Sequence, residues 1–312
     1  MTARALLAAW SEKRWVRLSA HVLRWLIPIL LLGFVGWRLN GLGWAEIWQA
    51  RPSSLVFYLM LVMQFFIQPL GDLLIYRNLW RPHAPPFSVI LRKRFLNSAI
   101  FDYTGEVFFF LWAQKTLNLP KRMIIHAIKD SNVLSAGAAL AMVWLIALAL
   151  LLLGGLRIPQ MFESHGWFYA LVGCLPFFLC ATLFFAHRKV TALSRRQIAQ
   201  TFGIHFLRCL LVLVVEFGLW VASGALPTAI ACLQYVALRL VVTRLPFVPN
   251  KDLVYVGVGI AAAGMANVAV TPVATVLVII AAADMILACA VAGVPWAFDY
   301  FFGAGRRSRA DT

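Results

Sequence analysis

Two acidic residues, Asp102 and Glu106, lie four positions apart in the stretch "FDYTGEVFFF", residues 101–110. The apolar runs on either side are each too short to cross a bilayer, which takes about 20 residues of helix. Ionisable side chains at membrane depth are costly unless they are paired or hydrated, so they mark functional sites. We expect Asp102 or Thr104 to cap a helix that begins near Gly105, with Glu106 in its first turn. Glu106 is the residue we expect to act on a substrate.

A second interruption of the same kind occurs at residues 244–260, "RLPFVPNKDLVYVGVGI". Two prolines end one helix there, Asn250 can cap the next, and Lys251 and Asp252 occupy its first turn. Helix N-termini present free N–H groups that suit phosphate or carboxylate. Interrupted helices at corresponding places in two halves of a chain point to a transporter's binding site. The alternatives are an ordinary cytoplasmic loop at 244–260 and a loop between surface helices at 101–106.

The apolar segment 203–223 carries a polar stripe of His205, Arg208 and Glu216. His205 and Glu216 lie on nearly the same helical face, and Arg208 is one turn from His205. This pattern predicts a cavity wall in which Arg208 binds a phosphate and His205 or Glu216 carries a proton. The alternative is a structural Arg–Glu pair that locks two helices together.

Two further apolar segments contain polar residues. Gln64, Gln68 and Asp72 share one face at four-residue spacing, and we expect that face to look into the helix bundle. Asp284 is isolated on its helix, and we expect an arginine, Arg239 or Arg208, to be its partner. The predicted proton and charge network is Asp72, His205, Glu216, Arg239 and Asp284.

Composition identifies the class of protein. Of 312 residues, 62% are hydrophobic and 13% are charged, whereas soluble domains carry about 25% charged residues. The net charge of +16 falls in short clusters between apolar segments, which is typical of membrane topology and anionic headgroups rather than of nucleic-acid binding. Eight apolar stretches have spanning length: 19–38, 54–76, 132–155, 166–187, 203–223, 227–244, 252–269 and 272–293.

The distribution of basic residues predicts the topology. If the region 95–118 dips into the membrane and returns, most of the 28 Lys and Arg residues lie on the N-terminal side. We therefore expect a single integral membrane domain, 1–312, with eight spans and one re-entrant helix in the inner membrane. The basic N-terminus (1–18) and the basic tail (300–312) are then cytoplasmic. The cluster Arg92, Lys93 and Arg94 either attracts anionic headgroups at the cytoplasmic entrance or only sets the membrane topology of the chain.

The stretch from "RFLNSAIFDYTGEVFFF" to "KDSNVLSAGAALAMVWL" resembles the flippase-like family typified by the lysylphosphatidylglycerol synthase transmembrane region. Gly105 and Glu106 match that family's Gly-Glu, and Lys129 and Asp130 occupy the place of its charged pair. "LPFVPNKDLVYVGVGIAAAGM" is similar to the family's second break. The resemblance implies a bundle with re-entrant helices that moves or presents a lipid or polyprenyl-linked substrate.

Motifs for ATP binding, zinc hydrolysis and serine nucleophiles do not occur in the sequence, and its five cysteines suggest no metal site. We therefore predict a transporter without a cofactor or a metal, whose partners are anionic or polyprenyl-phosphate-linked lipids. A membrane enzyme or a second copy of the chain is a further expected partner. The alternatives are a membrane-embedded transferase, with Asp102 or Glu106 as base or metal ligand, and a non-catalytic scaffold.

Overall fold

The computed structural model describes residues 43–99, 103–155, 191–243, 251–266 and 268–295. Within these ranges every regular element is a helix, which confirms the predicted all-α class. The helices are α1 (Trp44–Gln49), α2 (Leu55–Leu79), α3 (Phe87–Ala99), α4 (Thr104–Thr116), α5 (Lys121–Leu152), α6 (Arg195–Ser223), α7 (Ala229–Val242), α8 (Lys251–Met265) and α9 (Val270–Ala288).

Four of the described helices are long and apolar enough to cross a membrane: α2, α5, α6, and α9 together with the π-helical turn Cys289–Gly293 that continues it. They coincide with four of the predicted spans, so the chain has the character of a membrane protein. Two other predicted spans, 19–38 and 166–187, lie outside the described residues.

The predicted spans at 227–244 and 252–269 are shorter helices in the structure. Helix α7 has 14 residues and α8 has 15, which corresponds to about 21 and 22 Å of helix. The hydrocarbon core of a bilayer is about 30 Å thick. Neither helix is therefore long enough to cross it alone.

Helices α3 and α4 form a tight antiparallel hairpin. The Gly105 amide donates a hydrogen bond to Asn97 Oδ1 at 2.7 Å, and the Thr104 hydroxyl donates to the Leu96 carbonyl at 2.7 Å. A Cβ atom at Gly105 would lie 2.1 Å from the carbonyl oxygen of Lys93, so only glycine permits this approach.

The predicted start of α4 near Gly105, with Glu106 in the first turn, is confirmed. The predicted cap at Thr104 is wrong, because Thr104 is the first helical residue and its hydroxyl bonds back to α3. Tyr103 takes the cap position with φ 73° and makes no side-chain capping bond. Asp102, the other predicted cap, lies outside the described residues.

An aromatic cluster holds the open end of this hairpin beside the C-terminal end of α2. The Phe109 ring on α4 lies 4.6 Å from the Tyr76 ring and 5.1 Å from the Trp80 ring, both on α2. The start of α3 and the start of α5 belong to the same buried cluster, through Ile90 and Ile124. The hairpin thus begins and ends at one end of the bundle.

Helices α2 and α6 pack against each other in antiparallel orientation. Asn78 on α2 bonds to Gln200 on α6. A Cβ atom at Gly218, near the far end of α6, would touch Met60, near the start of α2. Since α7 follows directly after the C-terminal end of α6, the α7–α8 hairpin has its open end opposite to that of the α3–α4 hairpin.

Candidate functional site

A cavity of about 370 Å³ is lined by residues of α2 to α9. Ten of the predicted site residues line it. These are Asp72, Lys93, Arg94, Glu106, His205, Arg208, Glu216, Arg239, Lys251 and Asp284. Sequence segments more than two hundred residues apart thus meet at one polar site.

Helix α2 arranges this site into three layers. Gln64, Gln68 and Asp72 all line the cavity, which confirms that their shared face looks into the bundle. Residues four apart on a helix are separated by about 6 Å along its axis. We name the layers by these residues, and the Gln64 and Asp72 layers lie about 12 Å apart along α2.

The Asp72 layer joins two cations to two carboxylates. Lys93 Nζ donates to Asp72 Oδ2 at 2.8 Å, and Arg208 Nη1 donates to Asp72 Oδ1 at 2.6 Å. Lys93 Nζ also lies 3.6 Å from Glu106 Oε1, and Arg208 Nη2 donates to Ser135 Oγ at 3.1 Å. The charges of this layer balance, which lowers the cost of burying them.

The surroundings of the Asp72 layer constrain its two cations. Lys93 Nζ lies 5.2 Å from the centre of the Tyr76 ring, within cation–π distance. A Cβ atom at Gly71 would lie 2.8 Å from Arg208 Cδ, so glycine leaves room for that side chain. The buried His205 imidazole faces Ser131, with Nε2 3.2 Å from the hydroxyl oxygen.

The Gln68 layer is held by Arg94. Its guanidinium donates through Nη1 to Gln68 Oε1 at 2.7 Å and through Nη2 to Asp284 Oδ1. The prediction that Arg239 or Arg208 is the partner of Asp284 is therefore wrong. Helix α3 packs against both α2 and α9 and brings Arg94 to Asp284 instead.

The Gln64 layer surrounds Glu216, whose side chain is 1% exposed. Glu216 accepts hydrogen bonds from Gln64 Nε2 at 3.1 Å and from the Tyr255 hydroxyl at 3.3 Å. Arg239 Nη1 lies 3.2 Å from Glu216 Oε2, and Nη2 lies 3.5 Å from Asp252 Oδ1. The structural alternative, an Arg–Glu pair that locks two helices, is present here as Arg239 on α7 and Glu216 on α6, whereas Arg208 is bound to Asp72.

Two residues of the basic cluster at 92–94 do not lie where the headgroup prediction put them. Lys93 is only 5% exposed, and Arg94 is bound within the Gln68 layer. Three consecutive residues on a helix point about 100° apart, so a basic triplet cannot present all its side chains to one surface. Arg92 is half-buried and lies outside the cavity lining.

This helical geometry was the available signal that one of the three cations must face the bundle. Sequence reasoning missed the inward-facing Lys93, and it also missed Tyr76 and Tyr255, which pack against cations. Two other predicted site residues, Asp102 and Asn250, lie outside the described residues. Gly105 does not line the cavity but fixes the position of Lys93.

The cavity lining contains both hydrogen-bond donors and hydrogen-bond acceptors. Glu106 Oε2 and Arg94 Nε are buried and make no hydrogen bond to any residue that the structure describes. Among the same residues, no group of three His, Cys, Asp or Glu side chains is close enough to hold a metal ion. The site is therefore a set of paired charges around a polar cavity, in which an acceptor on Glu106 and a donor on Arg94 have no hydrogen bond within the described residues.

No family model matches the chain, and no curated protein or solved structure matches it.

Proposed function

We propose that the protein translocates a lipid with a phosphate-bearing headgroup, anionic or polyprenyl-phosphate-linked, across the inner membrane. The observation that carries this proposal is the stack of three charged layers along α2. The layers extend over about 12 Å and are centred on Gln68, near the middle of a helix long enough to span. A headgroup that crosses the hydrocarbon needs hydrogen-bonding partners along its path.

The cavity suits a headgroup rather than a whole lipid. Ligand pockets typically occupy about 300–1,000 Å³, and this cavity has about 370 Å³. In this proposal the acyl or prenyl chains remain in the surrounding lipid while the phosphate meets Lys93, Arg94, Arg208 and Arg239. Each of these cations is already paired, so a phosphate would exchange with a carboxylate instead of meeting a bare charge.

The proposed topology treats both short hairpins as re-entrant. The α3–α4 hairpin has its open end beside the end of α2, and α7 and α8 are each too short to span. If α7–α8 also returns to its own side, the eight expected spans become six, and both termini remain cytoplasmic. Such broken helices from two halves of a chain surround the binding sites of many transporters.

Cysteine labelling in membrane vesicles tests this topology. With the five native cysteines replaced by alanine, single cysteines at Arg77 and Lys115, which flank the first hairpin, should react with a membrane-impermeant reagent from the same side. Single cysteines at Thr228 and Ala266, which flank the second hairpin, should react from the other side. Labelling of Arg77→Cys and Lys115→Cys from opposite sides would rule out a re-entrant first hairpin.

Reconstitution tests the function. In proteoliposomes containing fluorescently labelled phosphatidylglycerol, dithionite alone bleaches only the outer leaflet, and the wild-type protein should make the inner-leaflet fluorescence decay as well. Glu106→Gln and Arg208→Ala should abolish this effect, while Arg196→Ala, at an exposed position on the same helix as Arg208, should retain it. Size-exclusion profiles verify that each variant is folded. Normal translocation by both cavity variants would refute the proposal and favour the scaffold.

A further inference from the structure

The two halves of the described chain repeat one order of helices. Helices α2 to α5 run long, short, short, long, and so do α6 to α9. In both halves the two short helices form an antiparallel hairpin whose members are in contact. Because α2 and α6 are antiparallel, the two hairpins enter the bundle from opposite ends.

The charged residues of the two hairpins occupy equivalent positions. Lys93 lies on the first short helix of its half, and Glu106 follows it by 13 residues in the first turn of the second short helix. Arg239 and Asp252 have the same spacing and the same placement. The distance from cation to carboxylate is also matched, at 3.6 Å in the first hairpin and 3.5 Å in the second.

An aromatic ring lies under each cation at the same register. Phe109 and Tyr255 each follow the acid of their hairpin by three residues. Lys93 Nζ lies 5.5 Å from the centre of the Phe109 ring, and the Arg239 guanidinium carbon lies 5.6 Å from that of Tyr255. Both separations are within cation–π range.

The long helices complete the equivalence. Asp72 lies seven residues before the last residue of α2, and Glu216 lies seven residues before the last residue of α6. Asp72 is the nearer acid for Lys93, at 2.8 Å, and Glu216 is the nearer acid for Arg239, at 3.2 Å. Each cation therefore has one close carboxylate on a long helix and a second, more distant one on its own hairpin.

The more distant carboxylate is the one that a ligand can replace. Separations of 3.6 and 3.5 Å are longer than normal charge-assisted hydrogen bonds, which measure about 2.7–2.9 Å. A phosphate oxygen at hydrogen-bond distance would hold the cation more strongly, while the close acid keeps it in place. Lys93 and Arg239 both line the cavity, so a ligand inside it can reach either cation.

We propose that the Asp72 and Gln64 layers contain two copies of one oxyanion half-site, related by an inverted internal repeat. A lipid phosphate binds Lys93 in place of Glu106 at one half-site, and Arg239 in place of Asp252 at the other. The Arg94–Asp284 pair lies between them, in the Gln68 layer. This inference rests on the proposed function and adds that the headgroup occupies two equivalent positions about 12 Å apart.

Equilibrium binding distinguishes two half-sites from one. The probe is tritiated dioctanoyl phosphatidylglycerol, titrated onto the purified full chain in detergent. If one ligand can bind at either of two equivalent half-sites, removing one half-site halves the number of binding positions, so the affinity falls only about twofold by mass action. Lys93→Gln and Arg239→Gln should each have this small effect, and the double variant should weaken binding by more than about tenfold. Unlabelled dioctanoylglycerol, which has no phosphate, should not compete.

Translocation should respond differently to the same variants. Passage from one half-site to the other requires both, so each single variant should slow headgroup translocation at least about tenfold. Arg196→Gln, an exposed control, should bind and translocate as the wild type does. If a single variant does not fold, the charge-balanced pairs Lys93→Gln with Glu106→Gln and Arg239→Gln with Asp252→Asn replace it.

Each outcome is decisive. A single variant that alone abolishes binding shows that there is only one half-site and overturns the inference, as does a double variant with wild-type affinity or competition by dioctanoylglycerol. If the predicted binding pattern holds but the wild type moves no lipid, the proposed function fails and the paired half-sites stand. If the wild type translocates but one cation accounts for all the binding, the function stands and the half-sites fail.

Discussion

The buried contact between Asp72 and Arg208 makes a quantitative prediction about the stability of the bundle. Asp72 is the hydrogen-bonding carboxylate for both Arg208 and Lys93, at 2.6 and 2.8 Å. Asp72→Asn removes that charge and leaves Arg208 without a carboxylate partner. Leaving a buried charge without its partner costs about 3–5 kcal/mol, so we expect a loss of that size in the free energy of unfolding.

The partner substitution should cost less. In Arg208→Gln, Asp72 keeps its hydrogen bond from Lys93, so the expected loss is that of one charge-assisted hydrogen bond, about 1.5–3 kcal/mol. In the double variant Lys93 still faces Glu106, and no buried cation is left without a carboxylate partner. Its destabilisation should therefore be smaller than the sum of the two single effects by at least about 1.5 kcal/mol.

Reversible unfolding in mixed detergent micelles measures these free energies, with the 12 tryptophans as the fluorescence signal. Asn78 and Gln200 provide the matched control, because they join the same two helices through an exposed, uncharged hydrogen bond of 2.9 Å. A double-mutant cycle with Asn78→Ala and Gln200→Ala should give a coupling energy below about 1 kcal/mol. Additive effects at Asp72 and Arg208, within about 0.5 kcal/mol, would refute the assignment of a buried ion pair.

Three further predictions use the same unfolding and translocation assays. Gly105→Ala should destabilise the fold by about 1–3 kcal/mol or more through overpacking. Gly203, which has open space around it, is the control, and Gly203→Ala should be neutral or stabilising by up to about 1 kcal/mol. Equal effects of the two substitutions would refute the close approach of α3 and α4. Arg94→Gln and Asp284→Asn should each cost about 3–5 kcal/mol, and the double variant should recover much of this loss; no recovery would argue against their pairing. Glu106→Gln should leave the free energy of unfolding within about 1 kcal/mol of wild type, because its contact with Lys93 at 3.6 Å is the weaker of two. It should still abolish translocation, because no hairpin carboxylate then returns to Lys93 to release the phosphate.

The sequence by itself determined those features that depend on local pattern and composition. The interior of a soluble domain is too small to bury a chain that is 62% hydrophobic. The membrane class therefore follows from the need to keep apolar side chains out of water. The face shared by Gln64, Gln68 and Asp72 follows from helical periodicity. The helix start near Gly105 follows from the polar interruption of an apolar run.

Only the tertiary structure decided which charges are partners. Arg94 and Asp284 are 190 residues apart in the chain, and their pairing depends on α3 packing against α9. In the sequence, Lys93 cannot be distinguished from a surface cation. In the folded chain, the tight α3–α4 hairpin places it beside Asp72. Periodicity determines the face on which a side chain lies, whereas an ion pair also requires the relative position and direction of two helices. Those quantities arise from packing between distant segments, so the three charged layers became visible only in the folded chain.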